Sequence, residues 1–180
     1  MRMRKIVYAG LAATVIGVLS LQTAASAAEM FDSGGTWNAA CDSAMTCRLN
    51  TSEMPADDGG LAIPAFVKAD KPHAPVMMVL PTITGMETLN RDGVFTIAVD
   101  GHDIVSIAVK DLKKDDAEGG YVTRDQAIVQ PVLAAARVGR DEIMVSYLGP
   151  DTQEVATADL TGLHASLDWL SEQQQPGSGS

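Results

Sequence analysis

The sequence predicts a mainly β protein, an antiparallel sandwich with two short helices in its C-terminal half. Seven or eight short apolar runs are bounded by turn residues, which is typical of the strands of a sandwich. The two helical patterns both lie near the end of the chain, outside the succession of hairpins. An open barrel is the main alternative, because a series of short antiparallel strands also serves that architecture.

The first 27 residues have the three parts of a cleaved secretory signal peptide. Residues 2–5 carry three positive charges, residues 6–21 are apolar, and residues 25–27 form an A-x-A cleavage site. A transmembrane helix is the competing interpretation, since the apolar run nearly reaches the length of a span. The order of charge, core and cleavage site favours the signal peptide. We therefore expect a periplasmic or secreted protein that begins at Ala28 and has no membrane span after cleavage.

The mature chain is strongly acidic. The sequence has 23 acidic and 13 basic residues, and three basic residues lie in the signal segment, so the mature charge is 10 minus 23, or −13. This charge opposes non-specific binding to nucleic acid and to anionic lipid. We therefore expect no nucleic-acid partner.

The mature length of 180 minus 27, or 153, residues fits one domain with a hydrophobic core. A glycine-containing segment at 28–35 predicts a flexible lead-in, and the domain follows over residues 36–172. Residues 173–180 are polar and end in Pro-Gly-Ser-Gly-Ser, which predicts a disordered tail.

The first predicted hairpin pairs a strand at 36–41 with one at 47–51 across the turn 42–46. Cys41 and Cys47 flank this turn, and in an oxidising compartment a disulfide is their default state. Closing so short a loop contributes about 2 kcal/mol on the chain-entropy model. A redox dithiol is one alternative, although the spacing is not C-x-x-C. A soft-metal site that also uses Met45 is another, and it needs reduced thiolates.

Strands are expected next at 61–67 and 76–80. Prolines at 64, 72, 75 and 81 place these strands at sheet edges or ends, because proline donates no ladder hydrogen bond. The clearest hairpin pairs 95–99 with 103–109 around Asp100-Gly101, a dipeptide suited to a positive-φ turn. Residues 110–120 are charged and predict a solvated loop.

The last third of the chain predicts a helix, a hairpin and a helix. Thr123 and Gln126 have capping-box spacing, so a helix is expected over 124–138. Pro131 either kinks this helix or begins a shorter one. Strands at 143–147 and 154–158 flank the turn 149–151. Leucines then recur at helical spacing and predict an amphipathic final helix, namely Leu160, Leu163, Leu167 and Leu170.

Three segments resemble one group of exported proteobacterial proteins. They are Trp37 followed by Cys41-Asp42 and Cys47, KADKPHAPV at 68–76, and LTGLHASLDW at 160–169 with Glu172 and Gln174 after it. Over residues 36–174 the chain resembles the invasion-associated locus B type and the related domain-of-unknown-function family 1176. The resemblance implies an immunoglobulin-like β-sandwich, an envelope location and no established catalytic residues. A second cysteine pair usual in the locus B relatives is absent here, which favours the uncharacterised family.

The three histidines predict no catalytic site. His73 lies between prolines, His102 lies at a hairpin turn, and His164 precedes Asp168 by four residues on the last helix. The sequence has neither a G-x-S-x-G elbow nor an H-E-x-x-H zinc motif. We therefore expect no enzyme and no cofactor, and a small hydrolase is only the third hypothesis.

A periplasmic copper-binding protein is the leading alternative function. His73 lies near Met77, Met78 and Met86, and thioethers favour Cu(I). Met77 and Met78 are adjacent on a strand and should face opposite sides, so the alternative ligand set is His73, Met77 and Met86. Packing of the methionines is the simpler interpretation.

Trp169 and His164 are the candidates for binding a partner. Trp169 lies at the edge of the buried leucine stripe, where an exposed tryptophan indicates an interaction surface, and core packing is the competing interpretation. We therefore expect a non-enzymatic envelope protein that binds a protein or cell-surface partner. The predicted surface is a sheet edge or the face near the last helix.

Overall fold

The computed structural model describes residues 29–52, 60–69, 74–83, 86 and 88–173. The predicted signal segment, the tail from residue 174 and His73 lie outside these residues. In chain order the strands are β1 Glu29–Asp32, β2 Trp37–Cys41, β3 Cys47–Thr51, β4 Ala65–Lys68, β5 Met77–Pro81, β6 Val94–Val99, β7 His102–Ala108, β8 Lys113–Asp115, β9 Gly120–Thr123, β10 Glu142–Leu148 and β11 Gln153–Asp159. The helices are α1 Gln126–Val138 and α2 Leu163–Gln173.

The described strands form two antiparallel sheets, which confirms the predicted sandwich and its two late helices. The larger sheet has the order β1-β2-β3-β4-β5-β9-β8, and the smaller sheet has the order β11-β10-β6-β7. Most neighbours in each sheet are also neighbours in sequence, and the exceptions are β5 with β9 and β6 with β10. The two separate sheets select the sandwich over the open barrel.

One buried cluster joins both sheets and both helices. Side chains alternate along each strand, so every second residue faces the core, as in the buried, half-buried, buried pattern of β2. Trp37 and Phe66 of the larger sheet share this cluster with Phe95 and Tyr147 of the smaller one. Helix α1 packs on β6 and β7, whereas α2 packs on β1, β2 and β3. The helices therefore extend the core beyond the two sheets.

The structure differs from the predicted flexible lead-in at 28–35. Residues 29–32 form β1, which pairs with β2 from Glu29 opposite Cys41 to Asp32 opposite Asn38. Phe31 packs this edge strand against α2 by stacking on Trp169, with the ring centroids 5.6 Å apart. The sequence does not predict β1 because four residues before a glycine turn are too few to show a strand pattern. The ring that Phe31 stacks on, that of Trp169, also lies at the far end of the chain.

The predicted hairpin and disulfide at the start of the domain are confirmed. Cys41 lies directly opposite Cys47 in the β2–β3 pair, and their sulfur atoms are bonded. The Asp42 carboxylate accepts hydrogen bonds from the N–H groups of Ala44 and Thr46 at 2.9 and 2.8 Å. The covalent bond and the closed turn together fix the register of β2 against β3.

Helix α1 begins later than predicted. Thr123 ends β9, and Asp125 is the cap instead, because its carboxylate accepts from the N–H of Ala127 at 2.9 Å. Pro131 lies inside the helix, which continues to Val138, so Pro131 does not begin a shorter helix. The predicted loop at 110–120 also differs, since it contains the short strand β8 paired with β9.

The indole of Trp37 connects the two sheets. Its ring is fully buried, and its Nε1–H donates to the carbonyl of Asp159 at the end of β11 at 2.8 Å. The Trp37 carbonyl accepts from the hydroxyl of Ser166 on α2 at 3.1 Å. The residue before Trp37 makes a further contact, since the N–H of Thr36 donates to the carbonyl of Thr161 at 3.0 Å. We call these five residues the Trp37 junction.

The junction requires glycine where the chain segments meet. A Cβ on Gly35 would lie 2.4 Å from the Thr161 carbonyl oxygen, closer than any real contact. The Asp159 carboxylate accepts hydrogen bonds from the Thr36 hydroxyl and from Thr161 in the same region. These hydrogen bonds, that of Thr36 first, lower the pKa of Asp159 below its ordinary value of 3.8. The β1–β2 turn and the β11–α2 turn are thus locked together.

Replacing Trp37 with Phe is expected to lower the free energy of unfolding by about 2 kcal/mol or more. The Asp159 carbonyl would lose its donor, and the smaller ring would leave a cavity in the core. Urea unfolding followed by circular dichroism measures the loss. The matched variant Trp169→Phe keeps a ring to stack on Phe31 at a half-buried position and should lose less. Equal losses in the two variants would contradict this ranking.

Candidate functional site

The two predicted partner-binding residues lie on α2 with different exposure. His164 is exposed, whereas Trp169 is half-buried, packs against the main core and stacks on Phe31 at an angle of 16° between the rings. Asp168, predicted to share a helix face with His164, forms an ion pair with Arg137 of α1 at 3.2 Å. One face of the Trp169 ring therefore holds β1 in place, and a role in binding a partner stays a prediction.

The residues proposed for copper do not come together in the described part of the chain. Met77 packs against a small cluster on the outer face of the larger sheet, formed by Ala65, Val67, Val79 and Val122. Met86 packs against the main core instead. The second soft-metal hypothesis, with Met45, is wrong because Cys41 and Cys47 are bonded to each other. Among the described residues, no group of three or more histidine, cysteine or acidic side chains is placed to hold a metal ion.

Asp100 has an altered pKa, but its surroundings give it a structural role. It lies at the β6–β7 turn with a φ of 50°, followed by Gly101 at 77°, as the sequence predicts for a tight hairpin. Its carboxylate oxygens accept from three successive N–H groups, those of Arg140, Asp141 and Glu142, at 2.9, 2.9 and 3.1 Å. These hydrogen bonds, that of Arg140 first, hold the pKa of Asp100 below its ordinary value of 3.8. The carboxylate joins the hairpin to the start of β10.

The best-formed cavity that the sequence did not predict lies between the two helices and β4. We call it the helix groove. Its volume is about 310 Å³, at the small end of the range of ligand sites. It is lined by Phe66, Lys68, Val76, Gln130, Leu133, Ala134, Arg137, Leu167, Leu170 and Ser171.

Helical spacing places the lining of the groove. Leu133 and Ala134 lie three and four residues after Gln130, and Arg137 lies four and three residues after them, so these four residues share one face of α1. On α2 the leucine stripe predicted as core continues into the groove, since Leu167 and Leu170 are each still 7% exposed. The ion pair between Arg137 and Asp168 links the two helices at the rim.

Lys68 brings a positive charge to the floor of the groove. Because side chains alternate along a strand, Lys68 projects from the same face of β4 as Phe66, which is buried in the core. Among the described residues, no carboxylate lies within ion-pairing distance of the Lys68 ammonium. The groove thus combines apolar walls with two cations, Lys68 and Arg137, in a chain that is acidic as a whole.

The arrangement of two antiparallel sheets with two helices beside them defines the class of fold. A scan against family models and a search of curated proteins gave no match. A search of solved structures found the crystal structure of invasion associated protein B from Bartonella henselae, with a TM-score of 0.53 and 15% sequence identity. The alignment covers 83% of this chain and 99% of the other. The fold that the resemblance implies is therefore confirmed, and at this identity the likeness concerns the fold alone.

In the described ranges, neither helix is long and apolar enough to cross a membrane. Helix α1 has 13 residues and helix α2 has 11.

Replacing Asp100 with Asn should destabilise the protein near neutral pH and progressively less in acid. Asn tolerates the same left-handed backbone but carries no charge. Since the folded pKa of Asp100 is lowered, its carboxylate stabilises the fold above the ordinary value of 3.8 and loses that effect as the pH falls through the folded value. Urea midpoints of both proteins between about pH 6 and pH 2 measure the difference.

The neighbouring variant Asp103→Asn, on the same hairpin, is the control for a general effect of charge. A gap between wild type and Asp100→Asn that stays constant with pH would contradict the role of the ionised carboxylate.

Proposed function

We propose that this chain is a non-enzymatic binding protein of the bacterial cell envelope, exported through its signal peptide. Its partner is a protein or a cell-surface component, and it binds at the helix groove, on the face near the last helix. The single observation that carries the proposal is the groove itself, a concave apolar site built on two rigid helices and a strand.

The chemistry of the groove supports binding rather than catalysis. Among the described residues, its titratable side chains are Lys68 and Arg137, and the hydroxyl of Ser171 donates to the backbone carbonyl of Asp168 at 2.7 Å. A nucleophile needs a base within hydrogen-bonding reach, and none of the described lining residues is a histidine or carries a carboxylate. Leucine and phenylalanine walls instead provide the desolvated surface that anchors a ligand.

The edges of the larger sheet are less suited to a partner. Edge strand β8 is short and carries Lys113, Lys114 and Asp115, the type of charged edge that prevents strand addition. Edge strand β1 has only four residues. The groove therefore offers a better-defined apolar surface than either edge of the larger sheet. The likeness to invasion associated protein B supports the fold and carries no role in invasion to this chain.

Export is tested by the N-terminal sequence of the protein recovered from the periplasm or medium. We expect it to begin at Ala28. Ala27→Leu should block cleavage because signal peptidase requires a small residue there, and the precursor should accumulate at the membrane. Ser26→Leu, at the unrestricted middle position of the A-x-A site, is the matched control. Recovery of the uncleaved chain from the wild type would overturn the export proposal.

Partner binding is tested by a photo-crosslinking amino acid placed in the groove of the exported protein. Ala134 is exposed on α1 and lines the groove, whereas Ala127 is exposed on the same helix outside it. Irradiation of cells should give a discrete adduct from position 134 and none from position 127, as seen by mass spectrometry. The proposal fails if neither position gives an adduct or if both give the same ones.

A further inference from the structure

We propose that the helix groove takes a single-chain amphiphile with a carboxylate head, such as a fatty acid. The tail lies among the apolar walls, and the head lies beside Lys68. This inference rests on the proposed function and takes the partner to be a cell-surface component of this chemical class and not a protein. It is carried by the size of the groove, the distribution of its charges and the position of Lys68.

The size of the groove limits the ligand to one chain. A volume of about 310 Å³ is at the lower limit of sites that hold small molecules, so a lipid with two acyl chains does not fit. The walls are formed by branched and aromatic side chains, chiefly Phe66, Val76, Leu133, Leu167 and Leu170. Such walls match a flexible hydrocarbon tail, which needs no directed hydrogen bond.

The charges of the groove select an anionic head. The sequence has 23 acidic residues against 13 basic ones, yet the described lining residues include two basic side chains and no acidic one. Arg137 already shares its charge with Asp168 at 3.2 Å. Within the described residues, Lys68 has no carboxylate at ion-pairing distance, so none of them balances its positive charge. A head with a single negative charge balances it.

The position of Lys68 separates head from tail. It is two residues beyond Phe66 on the same face of β4 and is the last residue of the strand, so it lines the groove next to the apolar floor that Phe66 forms. The long aliphatic stem of a lysine packs along apolar surface while its charge stays at the rim. An amphiphile with its carboxylate on Lys68 therefore extends its chain toward the leucines of α1 and α2.

Calorimetric titration of the exported full-length protein with decanoate, below its micelle-forming concentration, tests this inference. We expect saturable binding of one decanoate per chain and binding of decyltrimethylammonium, with the same tail and the opposite charge, at least about tenfold weaker. Lys68→Gln should weaken decanoate binding about tenfold, whereas Lys110→Gln, an exposed lysine elsewhere, should not.

Ala134→Phe should fill the groove and abolish binding, whereas Ala127→Phe on the same helix should leave it unchanged. Equal affinity for the two detergents, equal effects of the two lysine variants, or unchanged binding to Ala134→Phe would each overturn the inference. Binding that appears only after removal of residues 174–180 would assign the groove to the chain's own tail and also overturn it. A protein adduct at position 134 without decanoate binding would overturn this inference and leave the proposed function standing.

Discussion

The fold depends on a buried indole that needs a hydrogen-bond acceptor. Trp37 lies on the larger sheet with no exposure to solvent, and the acceptor is the carbonyl of Asp159 at the end of the smaller sheet. Leaving either group unpaired in the core costs free energy, so the two sheets meet at one fixed point. The hydrogen bond from Ser166 to the Trp37 carbonyl then fixes α2 against the same strand.

The position of the helix groove follows from this constraint. Helix α2 begins four residues after Asp159, so the junction sets where α2 begins and which face it turns to β2 and β3. Leucines that seal the core at one end of the helix therefore form a wall of the groove at the other. Helix α1 supplies the facing wall from the smaller sheet, and the ion pair of Arg137 with Asp168 spans the two. The groove is a consequence of how the sheets are joined.

The parts of the fold that local chemistry determines could be predicted from the sequence. The hairpin at Asp100-Gly101 follows from two residues that accept positive φ, and the disulfide hairpin follows from cysteine spacing and compartment. Strand β1 escaped prediction because only the stack with Trp169 distinguishes it from a loop. The predicted start of α1 is too early. Thr123 has the spacing of an N-cap residue, but it is the last residue of β9 and pairs with Met78 of β5. Lys68 and the groove depend on strand register and on packing between distant elements, which no local pattern contains.

The short edge strand β1 adjoins the predicted signal-peptide cleavage site. If the signal peptide is cut after Ala27, only Ala28 separates the new N-terminus from the first residue that pairs with β2. The backbone that a peptidase must hold extended therefore adjoins the backbone that completes the sheet, and both events compete for it. The β2–β3 pair does not include β1, so cleavage there leaves its hydrogen bonds untouched. If the chain is cut at this point, the stack of Phe31 on Trp169 is the contact that lies nearest to the cut.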